Sequence, residues 1–90
     1  MTSSSRDYEL QWELEVLDQI RALPRELQRS VIRRCAELSG DPRPINVEKL
    51  EVSYRMAFDR VLVWYWVDDA NGLIVIVRVA LDAGARPDGA

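Results

Sequence analysis

The stretch from Arg60 to Val79, RVLVWYWVDDANGLIVIVRV, is two apolar runs around one turn. Both runs are rich in β-branched and aromatic residues and are of strand length. The five residues between them, Asp68-Asp69-Ala70-Asn71-Gly72, end in Asn-Gly, the strongest short signal for a hairpin because both residues tolerate positive φ. The spacing predicts strands over Arg60 to Val67 and Leu73 to Val79. Upstream, Tyr54 to Phe58 has the same composition and adds a third strand, so the three form an antiparallel meander. Alternation then places Arg60, Leu62, Trp64 and Trp66 on one face of the middle strand, and Val61, Val63, Tyr65 and Val67 on the other.

Further upstream the period changes. Tyr8, Leu10, Trp12 and Leu14 alternate with polar residues, whereas Leu10, Leu14, Leu17, Ile20 and Leu23 also fit a helical stripe. A strand from Tyr8 to Trp12 that hands over to a helix ending at Leu23 accommodates both. Pro24 stops that helix and suits the first position of another, in which Leu27, Val31, Cys35 and Leu38 give one apolar face. Gly40 can supply a positive φ at its end, and Pro42 prevents continuation. The fold class is therefore α+β: an N-terminal strand, a helical hairpin, then the three-stranded antiparallel meander, with the helices packed on one face of a twisted sheet. Residues 1–6 are polar and patternless, residues 82–90 are rich in Gly, Pro and Asp, and both read as flexible tails around a single domain over residues 7–81.

Composition excludes much chemistry. At 90 residues there is room for one hydrophobic core, not for separate cofactor and substrate domains. The chain has no His and one cysteine, Cys35, which rules out His-based triads, structural zinc sites, CxxC pairs and internal disulfides, so no metal and no cofactor is expected. Without an imidazole to activate it, Cys35 reads as a small buried hydrophobe on its helix. Asp68 and Asp69 are explained by turn chemistry. The apolar runs are far shorter than the roughly 20 residues of a membrane helix, and no basic segment leads an apolar one at the start; a cytoplasmic protein without a membrane partner is expected. The net charge of −3 lacks the broad positive field of a protein that grips bare nucleic acid, so any anion site must be local.

With its segments in this order, the chain resembles the RelE/ParE superfamily of bacterial toxins. The resemblance runs through Tyr8 to Trp12, Arg21 to Gln28 across the helix break, Gly40 to Pro44, Glu48-Lys49-Leu50, Tyr54-Arg55 and Asp59 to Asp69. It implies a toxin neutralised by a cognate antitoxin. RelE-like members cleave messenger RNA in the ribosomal A site, and ParE-like members poison DNA gyrase. By this resemblance Arg55 and Arg60 fall on positions that bind the scissile phosphate. Ala57 and Leu81-Asp82 stand where basic residues are frequent in the family, and no Tyr follows Tyr65. The proton-transfer part of a nuclease is thus missing from its usual place.

The candidate site residues follow. Arg55 and Arg60, joined by Arg78 if the pleat puts it on the same face, form the catalytic set; pairing with Glu48, Glu51 or Asp59 is the alternative for the first two, and pairing with an acid at the sheet edge the alternative for Arg78. Arg25, Arg29 and Arg33 recur at i, i+4 and i+8 along the second helix and, with Lys49, form the nucleic-acid-binding set, against a plain solvated face. Leu62, Trp64 and Trp66 form the partner-binding set, offered to a partner's helix or a second copy in a homodimer, with the alternative that the tryptophans are core and the valines of the other face exposed. The leading reading is a toxin that inhibits translation by ribosome-dependent mRNA cleavage, an endoribonuclease with ribosome, mRNA and antitoxin as partners. The alternative is a non-enzymatic binding module, either a gyrase inhibitor or a catalytically degenerate member that holds a protein partner.

Overall fold

In the computed structural model, which describes residues 7–82, the chain runs β1 (Glu9–Trp12), α1 (Leu14–Arg21), α2 (Arg25–Leu38), β2 (Glu48–Lys49), β3 (Tyr54–Phe58), β4 (Val61–Asp68) and β5 (Leu73–Leu81). The tails expected over residues 1–6 and beyond Asp82 lie outside the described residues. Glu13, still extended at ψ 151, is the residue through which β1 becomes α1. Pro24 is the cap of α2, one position earlier than its sequence suggested: at ψ 149 it is outside the helix, and its carbonyl accepts the Leu27 and Gln28 N–H groups. Gln28 reaches back from α2 and donates to the Leu23 carbonyl at 2.9 Å, satisfying an acceptor at the close of the hairpin. The left-handed glycine expected at Gly40 is not there; the Asp41 N–H bonds back to Glu37 and Leu38 instead.

The sheet has the order β1-β5-β4-β3-β2. The meander β3-β4-β5 is antiparallel as expected, and two features enlarge it: β1 joins the far edge parallel to β5, and the two-residue β2 joins the near edge beside β3. Both helices cover one face. Val16, Ile20, Val31, Cys35 and Leu38 pack there against Met56, Val61, Val63, Tyr65, Ile74, Ile76 and Val79. The hydroxyl of the fully buried Tyr65 donates to the Pro42 carbonyl at 2.7 Å, so this core tyrosine leaves no polar atom unmatched.

Two local features position the open face. Phe58 pairs with Val61, leaving Asp59-Arg60 as a two-residue turn with both φ positive, 48° and 66°. That is a turn of the mirror-image type whose twist suits a hairpin, built here without glycine. Arg60 therefore lies in the turn and does not open the strand, a correction to its expected place. The second feature is a bulge. Trp64 pairs with Arg78 but Tyr65 pairs with Ile76, so Val77 is an extra residue on β5. Strict alternation after Ile74 and Ile76 would aim Arg78 into the core; the bulge turns it to the open face.

Candidate functional site

On the face the helices leave open, four residues stand directly opposite one another across four strands: Glu48 on β2, Arg55 on β3, Trp64 on β4 and Arg78 on β5. The Arg78 guanidinium lies 4.7 Å from the centre of a Trp64 ring, a cation–π contact. Arg55 bonds Glu48 Oε1 through both Nε, at 3.0 Å, and Nη2. One arginine is thus neutralised by a carboxylate, whereas Arg78 has no ion-pair partner among the described residues. Leu62 and Trp66 extend the row along β4, with Trp66 37% exposed and Val75 buried beside it on β5.

The remaining candidates are dispersed. Arg60 sits in the turn four residues from Trp64, roughly 13 Å along the strand at about 3.3 Å per residue. The Asp82 N–H bonds its carbonyl at 2.8 Å, which brings an acidic residue to that end of the face. Lys49 is on the opposite side of the sheet from Arg55: it pairs with Tyr54 and its Nζ is 5.4 Å from the centre of that ring. Arg25, Arg29 and Arg33 are exposed on α2, which covers the other face. The set read as nucleic-acid-binding therefore does not converge with the Arg55–Arg78 row.

Glu48 was named in sequence reasoning only as a partner that Arg55 could take, and its register opposite Arg55 makes it part of the row. A second cluster was missed altogether. Asp69 accepts from the Tyr8 hydroxyl at 2.7 Å and from Arg43 at 2.6 Å, and Arg43 Nε donates to the Tyr54 hydroxyl at 2.8 Å. These bonds hold the Asp69 carboxyl below the usual aspartate range, with Tyr8 the larger cause, and they raise the Tyr8 phenol. The cluster fastens the start of β1 and the connection after α2 to the β4–β5 turn. Of its four residues, Arg43 and Asp69 lie in connections and Tyr54 in a strand, and no spacing in the sequence ties them to Tyr8.

Chemically, the open face offers two guanidinium groups that bind phosphate oxygens through paired N–H bonds, an indole between them and one carboxylate. It offers no phenol or amine. Tyr8, Tyr54 and Tyr65 and the single lysine are all on the helix side or bound elsewhere. Among the described residues, no group of His, Cys, Asp and Glu is placed to hold a metal ion, and no helix is long and apolar enough to cross a membrane.

No protein-family model and no curated protein sequence matches the chain. Solved structures do. The RelE-RelB complex of the archaeon Pyrococcus horikoshii contains a chain that is 23% identical and superposes with a TM-score of 0.80, over 88% of this chain and 99% of that one. The chain has the RelE toxin fold. The RelBE2 toxin-antitoxin complex of Mycobacterium tuberculosis gives a TM-score of 0.78 at 18% identity, covering 89% of this chain and 97% of that one. The isolated RelE toxin of Escherichia coli gives 0.73 at 16% identity, covering 90% and 87%. Each of these RelE likenesses takes in most of this chain and is a likeness of fold.

Proposed function

We propose that this chain is a bacterial, cytoplasmic toxin of a toxin-antitoxin pair, neutralised by a cognate antitoxin and inhibiting translation when free. The observation that carries the reading is the row of Arg55, Trp64 and Arg78 on the open face of a RelE fold. In ribosome-dependent mRNA cleavage, a 2′-oxygen attacks the adjacent phosphorus, the bond to the 5′-oxygen breaks, and negative charge on the phosphoryl oxygens rises in between. Arg55 and Arg78 are suited to hold those oxygens, and stabilising developing charge is worth a few kcal/mol per well-placed donor. Arg60, in the turn roughly 13 Å along the strand from Trp64 at about 3.3 Å per residue, is a further contact to the phosphate chain. The 2′-proton needs an acceptor, and Glu48 is the carboxylate beside Arg55. The leaving 5′-oxygen needs a proton, and guanidinium is too weak an acid to give one at neutral pH. Activity is accordingly slow and dependent on the ribosome for placement of the message.

A non-enzymatic binding module is the second reading, favoured by one observation: Arg55 is already satisfied by Glu48. Such a module would block a protein target, gyrase included, without breaking a bond.

Inducible expression with mapping of messenger RNA ends on translating ribosomes separates the two. Cleavage that falls at least about tenfold in Arg78→Ala and in Arg55→Ala supports the nuclease. Strong cleavage surviving both substitutions together overturns the site. Growth arrest with intact messages supports the binding module.

A further inference from the structure

On the other side of the sheet, the helical hairpin leaves an apolar groove of about 340 Å³ lined by Trp12, Leu17, Ile20, Arg21 and Ile32. Beside it Leu14 is 84% exposed, Ile32 53% and Leu17 39%. A single exposed leucine means little, but three large side chains around one groove form the kind of contiguous apolar surface that marks an interface. The charges around it are divided by element. Residues 7–23 hold five acids and one arginine, with Glu13, Glu15 and Asp18 exposed; residues 24–47 hold five arginines and three acids. Arg25, Arg29 and Arg33 form an exposed stripe on α2 and have no ion-pair partner among the described residues, whereas Arg21 is taken by Asp18 and Arg34 by Glu37.

We propose that this groove is the contact between two copies of the chain, related by a twofold axis, with α1 of each copy lying against α2 of the other. A twofold contact uses one patch twice, so it is favourable only where the patch complements itself. This one does: the acidic α1 side of one copy meets the arginine stripe of the other, and the relation repeats across the axis. Leu14, which is 84% exposed within its own chain, is the side chain to enter the partner's groove. The division of charge also offsets the repulsion between two chains of net charge −3.

RNA is a poorer occupant. An apolar groove offers nothing to a phosphate backbone, and the α1 acids repel it. The Trp64–Trp66 face is a poorer contact between copies, because Arg78 lies over Trp64 and leaves Trp66 as the one exposed large apolar side chain on β4 among the described residues. The patch is small, so the dimer is weak, with dissociation in the micromolar range. The dimer is independent of the proposed toxin activity, which lies across the sheet.

Equilibrium sedimentation of the full chain across the micromolar range, at low and high salt, tests this. A dimer that weakens with salt is expected. Ile32→Asp should raise its dissociation constant about tenfold or more, with the circular dichroism melt unchanged because Ile32 is on the surface. Arg29→Glu and Asp18→Arg should each be monomeric alone, since each sets like charges against one another across the twofold axis, and should form a heterodimer when mixed, where the altered charges face each other. A monomeric wild type overturns the proposal. So does a dimer that persists in Ile32→Asp and dissociates in Trp66→Ala, which would place the contact on the other face.

Discussion

Cys35 shows how completely surroundings set the chemistry of a residue. It is fully buried on α2 among Val31, Leu38 and the sheet, and burial pushes its thiol up to about 12. The thiolate is the reactive form, so at pH 8 the folded protein should resist alkylation by iodoacetamide for hours, whereas in denaturant the same thiol should react within minutes. Mass spectrometry of quenched samples measures both rates. Arg55 and Arg78 make the complementary case. They are alike in sequence and share one face, yet Arg55 is tied to Glu48 and Arg78 rests on an indole. Glu48→Gln should therefore free Arg55 and strengthen binding of an RNA oligonucleotide by about threefold to tenfold, measured by fluorescence anisotropy at fixed salt. In the nuclease reading the same substitution should abolish cleavage, because it removes the proton acceptor. Tighter binding with slower cleavage is the expected pair of results.

Among the elements, β5 carries the largest consequence for the site. Its run Leu73 to Val77 is apolar at every position, so no alternation in the sequence announces where the pleat changes phase. Val77 does so by bulging. Deleting Val77 would remove the extra residue and leave Tyr65 opposite Ile76 and Trp64 opposite Arg78, so Arg78 would keep its place on the open face. An unpaired buried charge costs several kcal/mol, comparable with the whole stability of a domain this size. The deletion should therefore retain a cooperative thermal melt, whereas Val79→Arg, which puts a charge at a buried position one residue on, should abolish it. The β3–β4 turn predicts a gain in stability. Asp59 and Arg60 hold φ of 48° and 66° without being glycine, so replacing them with Asn-Gly should raise stability by about 1 kcal/mol in urea titration. If Arg60 also holds the message, that stabilised variant loses activity, which separates a role in folding from one in function.

For the molecule as a whole, the Tyr8–Asp69–Arg43–Tyr54 cluster joins its first described residues to its last turn. Because the folded state holds the Asp69 carboxyl below its unfolded value, the cluster's contribution is present above the ordinary aspartate range and is lost as pH falls through the lowered value. The wild-type melting temperature should drop more steeply than that of Asp69→Asn as pH is lowered from 5 toward 2, and scanning calorimetry at fixed salt reads the difference. Long-range ties of this kind separate what could be read early from what could not. Local periodicity and turn chemistry determined the elements: the strands read as Arg60 to Val67 and Leu73 to Val79 around Asn-Gly, the two helices divided at Pro24, and the face on which Leu62, Trp64 and Trp66 lie opposite Val61, Val63 and Tyr65. These are legible because a side chain's burial on a regular strand or helix depends only on its position along it. Tertiary structure decided the rest. Only the packed sheet shows that β1 runs parallel to β5, that β2 brings Glu48 against Arg55, that Lys49 faces away from the arginines and that Arg78 joins them. Each depends on pairing between segments distant in the chain, or on one unpaired residue that shifts the register, and neither leaves a period in the sequence.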